Sequence, residues 1–113
     1  MGSKLDKIQK LREKKKVEKL VKLTSSREES EVRAAAFEAL GDIDCQLSGE
    51  TLQNAIRDED PAVRMAIAKA FQKIGSDHVE ELLHHQMLKE TDEALKQEFE
   101  KAMEFSRKRR YGG

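Results

Sequence analysis

The apolar residues Val63, Ala66, Ile67, Ala70, Phe71 and Ile74 recur at spacings of three and four, which predicts a helix with one apolar face. Asp60 and Pro61 mark its start. The Asp60 carboxylate can accept the free amide hydrogens of the first turn, and a proline at the first helical position has no amide hydrogen to leave unpaired. Gly75 is the expected C-cap, because glycine enters the left-handed conformation without a Cβ clash. One such face needs a cover. The pattern recurs earlier in the chain at a single constant offset, where Val32-Arg33 aligns with Val63-Arg64, Ala35-Ala36 with Ala66-Ile67, Ala39-Leu40 with Ala70-Phe71 and Ile43 with Ile74. A shift of nearly the same length in the other direction sets Leu95-Lys96 on Val63-Arg64 and Phe99 on Ile67. A repeat explains all three, and stacked repeats bury their apolar faces against one another.

The intervening segments supply the partner helices. Ser3 with Asp6 is a capping-box pattern ahead of Leu5, Ile8 and Leu11, and Val17, Leu20, Val21 and Thr24 follow on a second helix. Ser26 with Glu29, or Ser30 itself, can cap the helix bearing Val32 to Ile43; Ser48 or Gly49 can open a shorter helix with Leu52, Ala55 and Ile56. Asp77 with Glu80 starts a helix carrying Val79, Leu82, Leu83, Met87 and Leu88, and Thr91-Asp92-Glu93 opens a last one with Leu95, Phe99, Ala102 and Met103. The expected chain is a single all-α domain over 1–113, with a capping helix at 3–13, helix pairs at about 17–43, 47–75 and 77–106, and a basic tail at 107–113. No sustained heptad supports a coiled coil.

Composition narrows the class. With 113 residues the chain can hold a modest core but not a scaffold plus a deep enzyme pocket, and with 39% charged residues most helix surface must be wet. The formal net charge is zero, yet residues 1–23 hold nine Lys and Arg against Asp6, Glu13 and Glu18, and Arg107 to Arg110 are all basic. The ends are basic and the middle acidic. Cys45 is alone, which excludes an intrachain disulfide and fits a reducing, cytoplasmic setting. No apolar run approaches a membrane span, and no signal-peptide core opens the sequence.

Asp58-Glu-Asp-Pro-Ala-Val-Arg64 with Ala66, Ala70 and Phe71, echoed by Glu31-Val-Arg-Ala-Ala-Ala-Phe-Glu-Ala-Leu-Gly41, resembles the HEAT repeats, in the short form of the phycobilin-lyase HEAT-like proteins. The resemblance covers roughly residues 17 to 106. It implies an α-α superhelix, a short right-handed solenoid of about three helix pairs, whose second helices line a concave side. It also implies a ladder of Asp and Arg six apart tying repeats together, here Asp58 and Arg64, with Arg33 and Lys96 at the equivalent basic positions. Departures are Arg27 in place of the first acid, and Glu90 with Lys96 in the third repeat.

Candidate chemistry is sparse. His78, Glu81, His84 and His85 form the one metal-like cluster, with 78, 81 and 85 on a shared helix face, but a surface helix acquires such a set readily and nothing completes a shell, so no metal and no cofactor are expected. Deoxyhypusine hydroxylases, which are HEAT-like, hold iron through His-Glu pairs at helix starts; the comparable dipeptides here are Val32-Arg33, Val63-Arg64 and Leu95-Lys96. Cys45 beside Asp42 and Asp44 reads as a packing residue rather than a nucleophile.

The face opposite the apolar seam carries the functional expectation. Counting 100° per residue sets Phe37, Glu38, Met65, Ala68, Lys69, Gln72, Lys101 and Glu104 on the outward side of the repeated helices. Phe37 and Met65 either pack against neighbouring helices or form an apolar spot rimmed by charge, and a rimmed spot of that kind suits a partner. The leading expectation is a non-enzymatic module binding a protein or peptide on the concave face, as a monomer or homodimer. The alternative is nucleic-acid binding by Lys14, Lys15, Lys16, Arg107, Lys108, Arg109 and Arg110, set against the acidic middle and the lack of Trp. A lyase-related accessory role ranks below both, since the chain is too short to enclose a tetrapyrrole.

Overall fold

The structure is a computed structural model and describes residues 3–75 and 79–111. Among these residues it is all helical: α1 (Lys4–Glu13), α2 (Val17–Lys22), α3 (Ser30–Leu40), α4 (Gln46–Asn54), α5 (Pro61–Ala70), α6 (Val79–Lys89) and α7 (Glu93–Tyr111). Helices α1, α3, α5 and α7 pack in sequence as one row, and α2, α4 and α6 lead into its last three members. The result is an α-α solenoid of three helix pairs behind one extra helix. Its 44 × 32 × 19 Å extents are those of a slab two helices thick.

Local chemistry sets the helix starts. Ser3 and Asp6 form the reciprocal capping box ahead of α1. The Asp60 carboxylate accepts from the amide of Ala62 at 2.9 Å, with Pro61 at the first helical position of α5. Asp92 accepts the amide of Leu95 at 2.9 Å and starts α7. Other expected caps fall elsewhere. Ser30 is the first residue of α3, behind Glu29, and Ser48 and Gly49 are buried inside α4, whose N-cap is Cys45. Asp77, the expected cap of α6, lies outside the described residues. The expected C-cap of α5 is also displaced: the helix ends at Ala70 with Phe71 as cap, and Gly75 lies beyond, where a Cβ would stand 2.7 Å from the Arg109 side chain.

The last turn of α1 closes differently. Lys16 donates to the Leu11 carbonyl at 2.9 Å and Lys15 to that of Arg12 at 3.1 Å, the paired bonds of a Schellman turn. Lys15 occupies the left-handed position with φ of 54°, where glycine is the usual residue.

The core draws on each of the described helices. Phe37, Phe71, Phe99, Leu20, Leu40, Leu52, Ile67 and Leu83 are all fully buried, and Ile8 joins them from α1. Small residues govern the approach of α3 to α5. A Cβ on Gly41 would lie 2.8 Å from both Cα and Cβ of Ala70, so the end of α3 reaches its neighbour only because the side chain is absent. Helix α7 continues through Tyr111, so the basic segment expected as a tail is helical that far.

Candidate functional site

Ion pairs join successive repeats at the positions where the ladder is expected. Arg33 on α3 pairs with Asp58 ahead of α5, and Arg64 on α5 reaches Glu90 ahead of α7 at 2.7 Å. Each arginine thus bridges forward to the next repeat. Within its own repeat Arg64 instead donates to the backbone carbonyls of Asp58 and Glu59, at 2.7 and 3.1 Å. Glu90, which departs from the family's Asp, fills the acidic position and is only 4% exposed. Lys4 to Glu28 supplies a further rung at the start of α1, next to the Arg27 that broke the sequence pattern. Lys96 has no acidic partner among the described residues.

The outward face of the second helices divides in two. Phe37 is 2% exposed and Ala68 is fully buried, so neither can touch a partner. The reason is lateral packing: α3 is flanked by α1, α2 and α5, and a residue opposite the seam still meets a helix. Met65 is half-buried, while Glu38, Lys69, Lys101 and Glu104 are exposed. Gln72 joins them through Glu98, a residue the sequence reading passed over. Gln72 donates to the Glu98 carboxylate at 2.9 Å and to its carbonyl at 3.1 Å, and Lys101 approaches the same carboxylate at 3.3 Å. The Gln72 bond, with Lys101 and Lys69 nearby, holds Glu98 below the usual carboxylate range despite its partial burial. A separation of 26 residues joins Gln72 to Glu98 and Arg64 to Glu90 alike, which is the signal that could have found it.

Antiparallel stacking puts the N-termini of the second helices on one edge of the slab and their C-termini on the other. The first edge holds Glu28, Glu29, Asp58, Glu59, Asp60, Glu90 and Asp92 against Arg27 and Arg57 in its helix connections. The second holds Lys14 to Lys16, Lys73 and Arg107 to Arg109, against Asp42, Asp44 and Glu80; the side chain of Arg110 lies outside those described. Ion pairs show the second edge to be continuous. Asp42 receives Arg12 from α1 and Lys73 from beyond α5, at 3.0 Å for the lysine, and Arg109 from α7 lies 3.1 Å from Asp44. Burial pushes the Asp42 pKa up, but Arg12 and Lys73 outweigh it and leave the group below its ordinary value. The Arg109 guanidinium also sits 5.9 Å over the Phe105 ring. Zero net charge therefore conceals a slab with one acidic and one basic edge.

Helix α6 carries two shallow grooves, one lined by Arg57, Glu81, Leu82 and His85, the other by Glu80, Glu81, His84, Met103 and Arg107. His84 and His85 are exposed, and His78 lies outside the described residues. No group of three ligating side chains is gathered among the described residues. Cys45, expected as a packing residue, is exposed at the start of α4, with its sulfur 3.5 Å from the Ser48 hydroxyl. No described helix is long and apolar enough to cross a membrane. A family model described as HEAT repeats matches residues 8–104. No curated protein and no solved structure matches the chain.

Proposed function

The chain belongs to the HEAT-repeat family, and we propose that it is a non-enzymatic module that binds a protein or peptide across the exposed flank of its second-helix row. Such repeats are common interaction scaffolds. The observation that carries the reading is the cluster around Glu98. Gln72, just beyond α5, and Lys101 on α7 converge on that carboxylate, Lys69 adds its charge, and Met65 contributes the half-buried apolar surface beside them. With Phe37 and Ala68 in the core, Met65 is the apolar contact, and Glu38, Lys69, Gln72, Lys101 and Glu104 supply polar specificity. A protein partner suits this mixture better than a small ligand, because the surface is broad and charge-rimmed rather than enclosed. The free Cys45 thiol fits a reducing, cytoplasmic setting.

Affinity capture with the wild type and with Met65→Glu plus Lys69→Glu tests the assignment. Helical content should match and melting should fall only modestly, since Lys69 is exposed and Met65 packs against the core at its edge while half-buried. Proteins retained by the wild type and lost from the variant support the face. An unchanged set of bound proteins removes it.

A further inference from the structure

We propose that the basic edge, running from the α1–α2 turn to the end of α7, binds the phosphate backbone of duplex nucleic acid without reading its sequence. The surface is separate from the protein-binding flank. Its basic segments are distant in the chain and become neighbours only through the stack, as the links of Arg12 and Lys73 to Asp42 and of Arg109 to Asp44 demonstrate. Those pairs engage Asp42 and Asp44, and Arg107 engages Glu80 at 2.7 Å. Lys14, Lys15, Lys16 and Lys108 are all exposed and have no acidic partner among the described residues.

The backbone adds an independent observation. The turn closing α1 requires a left-handed residue, and the chain places Lys15 there at φ of 54° although glycine fits that conformation best. What the lysine brings is an unbroken run of three ammonium groups. Apart from Leu47, 37% exposed in the first turn of α4, the edge presents little apolar surface: Leu11, Ile43 and Ile74 all lie in the core. Contacts there are consequently ionic, which suits evenly spaced phosphates more than a protein partner with a desolvated centre. Four helix ends at about 8–10 Å spacing make the edge about 30 Å long, close to one duplex turn. A second copy is less well matched, because Asp58, Glu90 and Glu28 on the acidic edge are taken by the ladder and Asp60 and Asp92 by caps.

Fluorescence anisotropy of a generic duplex DNA, titrated with the full chain between about 50 and 200 mM salt, tests the proposal. Four phosphate contacts give a slope of log Kobs against log salt of about −3.6, a roughly 150-fold loss of affinity over that range. Lys14→Gln with Lys16→Gln and Lys108→Gln should bring the slope to about −0.9, with an unchanged melting curve. Absence of binding at about 50 mM salt overturns the proposal, as does a slope the triple variant leaves unaltered. Two other results also overturn it: tighter binding to polyglutamate than to the duplex, which assigns the edge to an acidic protein, or salt-sensitive self-association abolished by the triple variant, which assigns it to a second copy.

Discussion

Replacing Arg64 by Met tests whether the ladder carries stability or merely decorates the surface. Arg64 holds Glu90 through two bonds, from Nε at 2.7 Å and from Nη2 at 3.1 Å, and the Glu90 side chain is 3% exposed. Without the guanidinium, Glu90 keeps only the Gln86 amide at 2.9 Å. A carboxylate left in that position is a buried charge without compensation, and such losses run to about 3–5 kcal/mol. The expected destabilisation is therefore about 3–5 kcal/mol at pH 7. Urea denaturation followed by circular dichroism measures it. The double variant Arg64→Met with Glu90→Gln should recover most of the loss, because it leaves no buried charge. A single-variant loss under about 1 kcal/mol at pH 7 would refute the reasoning and mean that water reaches Glu90.

Other substitutions probe the packing and the turns. Phe71→Ala should cost about 3–5 kcal/mol, and a negligible shift in melting would remove the ring from the core. Gly41→Ala forces a methyl against the Ala70 backbone and should cost about 1–3 kcal/mol by denaturant titration, whereas a gain would show that α3 and α5 are further apart. Lys15→Gly should raise stability by about 1 kcal/mol, since it relieves the left-handed lysine; a lower melting temperature would contradict the Schellman turn. Asp42 has a lowered folded pKa, so its contribution is present above the ordinary aspartate range and is lost as pH falls through the folded value. Asp42→Asn should therefore flatten the acid limb of the stability curve below about pH 4, and an unchanged limb would show that Arg12 and Lys73 do not hold the carboxylate.

The fold was legible because its signals are redundant. The constant offset that carries Val32 onto Val63 and Ile43 onto Ile74 aligns whole helix faces, and the same Val, Ala and Leu positions then appear in the core. Caps were read well where the side chain has a single local use, as with Ser3, Asp60 and Asp92. They were misread at Ser48 and Gly75 because tertiary neighbours determine those positions: Ser48 is buried beneath the stack, and Gly75 makes room for Arg109, which arrives from the far end of α7. The outward face was legible in angle but not in exposure. A helix wheel places Phe37 opposite the seam without showing that α1 and α2 cover that side as well. Ladder partners were harder still. Arg64 to Asp58 is visible as a local spacing, whereas Arg64 to Glu90 exists only once the next repeat has stacked.

The two charged edges follow from the same stacking rule. Every second helix starts on one edge and ends on the other, so carboxylates ahead of the starts and cations near the ends complement the helix dipoles, except after α3, where Asp42 and Asp44 follow and draw Arg12, Lys73 and Arg109 to them instead. Each such placement is worth about 0.3–1 kcal/mol and falls off within the terminal turn. That accounts for Asp58, Asp60 and Asp92 at one edge and for Arg12 and Lys73 at the other. It does not account for three consecutive lysines after α1, of which the middle one occupies a disfavoured backbone conformation. One cation beyond the helix end would meet the dipole requirement. The excess charge of Lys14 to Lys16 is therefore separable from stability, which is why their removal is expected to change salt-dependent binding while leaving the melting curve in place.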